Sequence, residues 1–269
     1  MNGTVTVIDK SAVRIHSYMA PDDSLNVTTQ LIETPARVIA VDAQYALAYA
    51  DEVVAYARAL GKPLDRVIIT HAHPDHFHGA ARFGAPVHAL AAVRDQNALL
   101  GELDDQFVGR LAAPVRLEDE PDAVDDLGAR RDLHGRCHVG DRDDRPRRVL
   151  AVALGGDLVA QDLVYHATHL FLGNNDVAGW VKAVDELAAA PGYDTVLAGH
   201  GLPASPEVFD QLRAYLADAG ELLGDDGEAY KQAITARYPG FGGPFLIDIG
   251  NQYLFGAGNA ENSENAESA

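Results

Sequence analysis

The sequence predicts an α/β fold, because short β-branched segments alternate with segments whose apolar residues have helical spacing. The chain has 269 residues, 47% of them hydrophobic and 23% charged, which is enough for a large globular core. The clearest strand is Val67 to Ile69, and four histidines follow it within residues 71–78. Because Pro74 prevents the strand from continuing, this loop lies at the carboxyl end of a core strand, where α/β folds place their sites.

The first third of the chain predicts a run of strands followed by a helix. Four short strands are predicted before the helix, over residues 5–8, 13–16, 29–33 and 37–41. Residues 46–60 have apolar positions at helical spacing and end at Gly61. After the histidine-rich loop, residues 79–83 begin a short helix and residues 86–90 form a strand. His88 in that strand is interpreted as an ordinary core or edge histidine.

The middle of the chain has the least regular pattern. Residues 91–127 begin as a helix and then become irregular and acidic, which is typical of a lid over a site or of a solvated connector. Residues 128–148 contain seven of the 21 lysines and arginines, with little apolar periodicity. That segment is either a basic patch for an anionic substrate or a locally diverged, even mistranslated, stretch.

A hairpin is predicted next, with strands over residues 148–154 and 158–162, the second ending in Asp162. Later elements are a helix over residues 176–190, a strand over 195–198, a broken helical region over 205–238, and a strand or helix over 245–249. From residue 256 the composition of Asn, Glu, Ala and Ser predicts a disordered acidic tail, 256–269. We therefore expect a single domain over residues 1–255.

Charge and cysteine content restrict the partners and the compartment. The net charge of -19 disfavours nucleic acid and, more weakly, an anionic membrane surface. Cys137 is the only cysteine, and the first residues show neither a basic leader nor an apolar core, so we expect no signal peptide. The expectations are a cytoplasmic protein, a small-molecule substrate and no membrane span. The oligomeric state is not indicated.

The histidine-rich loop has the residue types and spacing of a metal site. His71 and His73 alternate as on a strand and could share one ion, while Asp75 and His76 follow the turn and could hold a second. Neutral imidazole and carboxylate suit a borderline cation such as zinc. The alternative is a surface loop that is rich in histidine by chance.

The motif His71-x-His73-x-Asp75-His76, placed after an apolar strand, resembles the signature of the metallo-β-lactamase superfamily of hydrolases. The resemblance implies an αββα sandwich, with two mixed β-sheets packed face to face and helices outside. It also implies a dinuclear metal site. One ion would take His71, His73 and a third ligand, the other would take Asp75, His76 and His200, and Asp162 would bridge them.

The third ligand of the first ion is the weakest point of the resemblance, because residues 128–148 lack the expected Gly-His-Thr-Pro type of loop. His138 is the preferred candidate, with Asp141 and His134 behind it. Asp42, at the end of a strand, either supports the metal loop or caps the following helix. Gly199 and Gly201 would let the backbone turn and bring His200 close to the ion.

By resemblance, the protein is a hydrolase that uses a zinc-activated hydroxide on a small ester, lactone or thioester, with iron or manganese as alternative metals. Asp75 would orient the nucleophile or take its proton, and Tyr165 and His169 would lie over the site as further catalytic groups. His166 and His169 could instead only pack or hydrogen-bond locally. Two other hypotheses are an iron-containing redox relative and a non-catalytic or impaired metal-binding protein. The absence of a leader counts against an exported antibiotic-resistance enzyme.

Overall fold

In the computed structural model, the described residues are 1–10, 13–89, 93, 117–119, 152–154, 156–190 and 192–256. The strands in these ranges are β1 Thr4–Asp9, β2 Arg14–Met19, β3 Thr28–Glu33, β4 Val38–Val41, β5 Leu64–Ile69, β6 Val87–Ala89, β7 Leu117–Asp119, β8 Val152–Leu154, β9 Asp157–Tyr165 and β10 Thr195–His200. The helices are α1 Leu47–Ala59, α2 Pro74–Phe77, α3 Val177–Ala189, α4 Val208–Leu222, α5 Gly227–Arg237 and α6 Phe245–Phe255, with short 3-10 turns at Asp22–Ser24 and Ala80–Phe83.

The strands form two mixed sheets. The larger sheet has the order β1-β2-β3-β4-β5-β6-β7, antiparallel from β1 to β4 and parallel from β4 to β7. The smaller sheet has the order β10-β9-β8, with β9 parallel to β10 and antiparallel to β8. The predicted hairpin and the predicted pair of mixed sheets are therefore confirmed.

The two sheets pack face to face because their strands alternate between two apolar faces. In β5, Val67 and Ile69 pack in the cluster that contains α1, whereas Ile68 packs with Val159 and Leu197 of the smaller sheet. The opposite face of the smaller sheet packs against α3 to α6. Helix, sheet, sheet and helix form successive layers, so the αββα sandwich is confirmed.

Helix α3 illustrates how local sequence sets these outer elements. The Asp176 side chain caps the helix by accepting a hydrogen bond of 2.8 Å from the Gly179 amide. Trp180, Val184 and Leu187 form its buried stripe, and the Trp180 indole donates a hydrogen bond to the Leu163 carbonyl at 3.0 Å. The stripe is core, as the sequence predicted.

The structure extends one predicted strand and decides one segment that the sequence left open. The strand expected to end at Asp162 continues to Tyr165, and its backbone bulges at Gln161, whose φ of 43° lies in the left-handed region. The last apolar segment, left open between strand and helix, is helix α6, which follows Pro244. None of the helices in the described part of the chain is long and apolar enough to cross a membrane.

Several sequence predictions fall outside the described residues. These are the Arg-rich segment 128–148, most of the predicted lid or connector, and residues 257–269 of the predicted tail. The single-domain boundary at residue 255 stays a prediction.

Candidate metal centre

Six of the seven predicted metal ligands lie together at one edge of the sandwich. His71 and His73 follow β5, and α2 begins just after His73 with Pro74 in its first turn. The larger sheet and its loop provide four of these ligands and the smaller sheet provides two, namely His71, His73, Asp75, His76, Asp162 and His200. His138, Asp141 and His134 lie outside the described residues.

The first group consists of His71, His73 and one oxygen of Asp162. His71 Nε2 lies 3.0 Å from His73 Nδ1 and 3.1 Å from Asp162 Oδ2. His73 Nδ1 lies 3.4 Å from the same oxygen. Ligand atoms about 2.0 Å from a tetrahedral zinc ion are about 3.3 Å apart, so the spacing fits a shared ion.

The second group consists of Asp75, His76 and His200. The Asp75 Oδ2 atom lies 3.4 Å from His76 Nε2 and 3.3 Å from His200 Nε2, and the two nitrogens are 3.4 Å apart. The other Asp162 oxygen, Oδ1, lies 2.9 Å from His76 Nε2 and 3.4 Å from His200 Nε2. Asp162 therefore has one oxygen in each group.

Hydrogen bonds behind the histidines determine which ring nitrogen faces the site. His76 Nδ1 donates to Asp42 Oδ2 at 2.8 Å, and His200 Nδ1 donates to the Leu25 carbonyl at 2.7 Å. Because carboxylate and carbonyl oxygens only accept, both Nδ1 atoms carry the proton. The Nε2 atoms of His76 and His200 are thus left with lone pairs that face each other and Asp162.

The same inference applies to His71. Its Nδ1 lies 3.1 Å from the Thr70 hydroxyl, which donates its own proton to Asp42 Oδ2 at 2.8 Å. The hydroxyl can then only accept from His71, which leaves Nε2 of His71 free to bind a metal. Ligating histidines in proteins are commonly oriented by such partners.

This arrangement of lone pairs and carboxylates requires a cation. Burial lowers the pKa of His76 and His200, but the carboxylates of Asp162 and Asp75 raise it, well above normal for His76 and to about 9 for His200. Burial raises the pKa of Asp75 and Asp162, but the neighbouring histidines hold it well below normal. A metal ion can replace the proton on each nitrogen. The donor set therefore fits one or more metal ions.

Asp42 supports the metal loop and does not cap the helix. It is fully buried and accepts hydrogen bonds from the Thr70 amide at 2.8 Å, the Thr70 hydroxyl, His76 and the Gln161 side chain. Helix α1 begins only at Leu47 and has no side-chain cap. Asp42 has a φ of 60°, a left-handed conformation that Asp tolerates better than most residues. Left-handed backbone of this kind concentrates at functional sites.

Glycine is required at the two positions beside His200 for different reasons. A Cβ at Gly199 would collide with Asp162 Oδ1, so glycine is needed for the close approach of β10 to the Asp162 carboxylate. Gly201 has a φ of 101°, which permits the sharp turn after His200, and a Cβ there would collide with the His166 carbonyl. Gly199 is thus required for the close approach of β10 to Asp162, and Gly201 is required for the turn after His200.

The structure places only one of the two further predicted catalytic residues at the site. The Tyr165 hydroxyl donates to Asp162 Oδ2 at 3.0 Å, and its ring stacks on His200 with centroids 4.5 Å apart. His169 is buried away from the ligands, with its Nδ1 2.9 Å from the Tyr215 hydroxyl. Burial lowers the pKa of His169 to about 4. The geometry therefore supports local packing for His169 and gives no support for its predicted catalytic role.

A cavity of about 240 Å³ opens beside the ligands. Its polar end is formed by His73, Asp75, Asp162 and Tyr165. The other described residues that line it are Asp23, Leu25, Tyr45, Pro74, Phe171, Phe245, Leu246, Ile249 and Tyr253. The sequence analysis missed this apolar wall, although the spacing of residues 245, 249 and 253 along one helical face was a signal for it.

An αββα sandwich with histidines and aspartates from both sheets at one edge defines a class of metal-binding proteins. The family model described as the metallo-beta-lactamase superfamily matches residues 25–200, and the chain belongs to this superfamily. Membership and the candidate ligand groups together support a metal-dependent hydrolase in general. The predicted superfamily is confirmed.

Solved structures agree with this assignment. The metallo-beta-lactamase FIM-1 from Pseudomonas aeruginosa in the mono-zinc form is 20% identical, with a TM-score of 0.57 over 81% of this chain and 96% of that chain. A metallo-beta-lactamase from Hirschia baltica is 21% identical, with a TM-score of 0.52 over 79% of this chain and 97% of that one. At this identity the likeness shows the fold alone. A search of curated proteins finds no significant match.

Proposed function

We propose that the protein is a dinuclear zinc hydrolase acting on a small ester, lactone or thioester. The observation that carries the proposal is the position of Asp162, whose two oxygens lie in two separate groups of candidate ligands. A carboxylate of this kind can bridge two ions. The first ion would be held by His71, His73 and Asp162, and the second by Asp75, His76, His200 and Asp162.

Zinc, when bound, supplies a water of near-neutral pKa and polarises the group under attack. The residues of the chain position the reactants around it. Asp75 is at the polar end of the cavity and can orient the attacking water or accept its proton. Tyr165 lines the same end and holds Asp162 through its hydroxyl.

The cavity supports a small substrate with apolar surface. Its volume of about 240 Å³ lies just below the range of roughly 300–1,000 Å³ that is usual for drug-sized ligands. Carbon-rich side chains form the walls away from the ligands, which also keeps bulk water from the reacting groups. Small carboxylic esters, lactones and thioesters fit this description.

The metal content of the purified protein tests the proposal most directly. Elemental analysis of protein prepared without chelator should find two zinc ions per chain, falling to about one in His138→Ala, the preferred candidate for the third ligand of the first ion. His78→Ala is a matched control, because His78 belongs to the same motif but its Nδ1 donates to the Tyr45 carbonyl at 2.9 Å. That variant should keep both ions.

Other results of these measurements would favour a different function. Iron with visible absorbance would favour a redox relative over a zinc hydrolase. One ion or none in the intact chain, together with no activity on esters, lactones and thioesters, would favour a non-catalytic metal-binding protein. A loss of metal in His78→Ala equal to that in His138→Ala would show that the loss is not specific to His138 and would leave the third ligand unassigned. No loss of metal in His138→Ala would contradict His138 as the third ligand. The cytoplasmic location stays a prediction from cysteine content.

A further inference from the structure

The exposed aromatic surface of the described residues is concentrated at one place. Three aromatic side chains are more than a third exposed there, namely Tyr45 at 39%, Phe245 at 58% and Tyr253 at 65%. All three line the cavity beside the candidate ligands. A contiguous exposed apolar patch next to a polar site is typical of a ligand-binding surface.

Helix α6 contributes an apolar stripe to this surface. Phe245, Ile249 and Tyr253 are four residues apart, so they lie on one face of the helix and all line the cavity. Phe171 links the stripe to the ligands, since its ring lies 5.5 Å from the His73 ring and 5.7 Å from the Tyr253 ring. The stripe therefore leads from the first ligand group toward solvent.

The helix is fixed from its other side. Leu246 and Ile247 are buried in the core cluster of the smaller sheet. Lys231 of α5 lies 2.6 Å from Asp248, and the Asn251 side chain donates to the Gly227 carbonyl at 2.7 Å. Because these contacts hold α6 in place, the stripe is preorganised for a ligand and its exposure is not the result of a loose helix.

We infer that the substrate is an ester or lactone with an apolar acyl chain, and that the chain lies along Phe171, Phe245, Ile249 and Tyr253. The inference rests on the proposed function and adds its substrate class. In the reaction, the OH of water joins the acyl carbon, the acyl carbon–oxygen bond breaks, and the hydrogen of water ends on the leaving oxygen. The α6 residues are specificity determinants and touch only the chain.

A series of p-nitrophenyl esters tests the acyl chain. For the zinc-loaded protein, kcat/KM should rise from acetate through butyrate to octanoate by about fourfold for each methylene that the stripe buries. Phe245→Ala and Tyr253→Ala should each reduce the octanoate-to-acetate ratio of kcat/KM by about tenfold. Val7→Ala is the control, because Val7 is 49% exposed on edge strand β1 and does not line the cavity.

A binding measurement distinguishes a failure of this inference from a failure of the proposed function. Octyl methyl ketone, an ester analogue that cannot be hydrolysed, should bind more tightly than propyl methyl ketone in calorimetry, by about fourfold for each added methylene that the stripe buries. This ratio of affinities should be smaller in Phe245→Ala and Tyr253→Ala. If the ketones bind with the expected ratio of affinities but no ester is cleaved, the apolar wall binds the chain and the proposal of a hydrolase is wrong. If esters are cleaved but the octanoate-to-acetate ratio and the ratio of ketone affinities are the same in the wild type and both variants, the inferred substrate class is wrong. The proposal of a hydrolase would then still hold.

Discussion

Two buried clusters among the described residues combine histidine with carboxylate, and they balance their charges in different ways. The Glu33 cluster comprises Glu33, His16 and Arg14 of the larger sheet, Tyr56 of α1, and Lys62 between α1 and β5. The metal-candidate cluster comprises the six ligand residues His71, His73, Asp75, His76, Asp162 and His200. Both bury a carboxylate in contact with an imidazole, yet only the second has the geometry of a metal site.

The Glu33 cluster is complete without an added ion. Lys62 Nζ lies 2.8 Å from Glu33 Oε1, and Arg14 Nη1 lies 3.3 Å from Oε2. Both ring nitrogens of His16 have protein partners, Glu33 Oε2 at 3.0 Å and the Tyr56 hydroxyl at 2.8 Å. Permanent cations from the chain thus neutralise the carboxylate, which is the arrangement of a structural ion pair.

In the metal-candidate cluster, the Nδ1–H groups of His76 and His200 instead point away from the other candidate ligand atoms. The Nδ1 atoms of His76 and His200 are committed to Asp42 and the Leu25 carbonyl, so lone pairs converge where Asp75 and Asp162 bring negative charge. Comparison of the clusters shows that burial and histidine–carboxylate contact do not identify a metal site by themselves. The outward Nδ1 protons of His76 and His200 make the distinction, together with the ion pairs of Asp75 and Asp162, which in the described part of the chain are with histidines and not with lysine or arginine.

Replacing the shared carboxylate should have the largest effect. Asp162→Asn keeps the size of the side chain but removes its charge and one of its two metal-binding oxygens. We expect both ions to be lost or held weakly and kcat/KM to fall on the order of a thousandfold or more. Elemental analysis and ester hydrolysis measure this, and a variant that keeps two tightly bound ions would contradict a bridging role for Asp162.

Removing a ligand of the second group alone should have a smaller effect on metal content. His200→Ala deletes one nitrogen of that group and leaves the atoms of His71, His73 and Asp162 in place. The expected result is one zinc per chain with a large loss of activity. Differential titration with a chelator checks the remaining affinity, and loss of both ions would mean that the two groups bind metal only together.

The six candidate ligands could be predicted from sequence to different extents. His71, His73, Asp75 and His76 belong to one loop after a strand, so their spacing alone indicates a shared site. Asp162 and His200 are far away in sequence, and only the order of motifs in the resembled family pointed to them. Tyr165 was likewise placed near the site by continuity with Asp162.

Features that depend on tertiary packing were not predictable. The role of Asp42 was open because a strand-end aspartate can cap a helix or support a loop, and only the start of α1 at Leu47 decides. Similarly, the burial of Leu246 and Ile247 determines which face of α6 lines the cavity. His169 follows the site closely in sequence, but its ring is directed to Tyr215.

Neutralising the supporting carboxylate should weaken metal binding without removing a ligand. Asp42→Asn retains a hydrogen-bond acceptor but loses the charge that orients His76 and, through Thr70, His71. Outer partners of this kind typically change metal affinity by about 10–100-fold. Competition with a chromogenic chelator measures the change, and an affinity equal to that of the wild type would show that Asp42 only stabilises the backbone.

The Glu33 cluster should respond in the opposite way, with lower stability and unchanged metal content. Hydrogen bonds from Lys62 and His16 hold the pKa of Glu33 below its ordinary value of 4.5. A lowered carboxyl pKa means that the folded state favours the ionised form, so its contribution is fully present above 4.5 and is lost as the pH falls through the folded value. Glu33→Gln should therefore lower the free energy of unfolding at neutral pH by about 1–2 kcal/mol.

Urea unfolding of wild type and Glu33→Gln, compared at neutral pH and well below 4.5, measures this difference. The two proteins should converge in acid, because protonation removes the charge that the substitution removes, and both should carry the same zinc at neutral pH. Loss of zinc in Glu33→Gln would mean that the two clusters are coupled across the larger sheet. A stability difference that persists in acid would instead assign the effect to packing of the side chain and not to its charge.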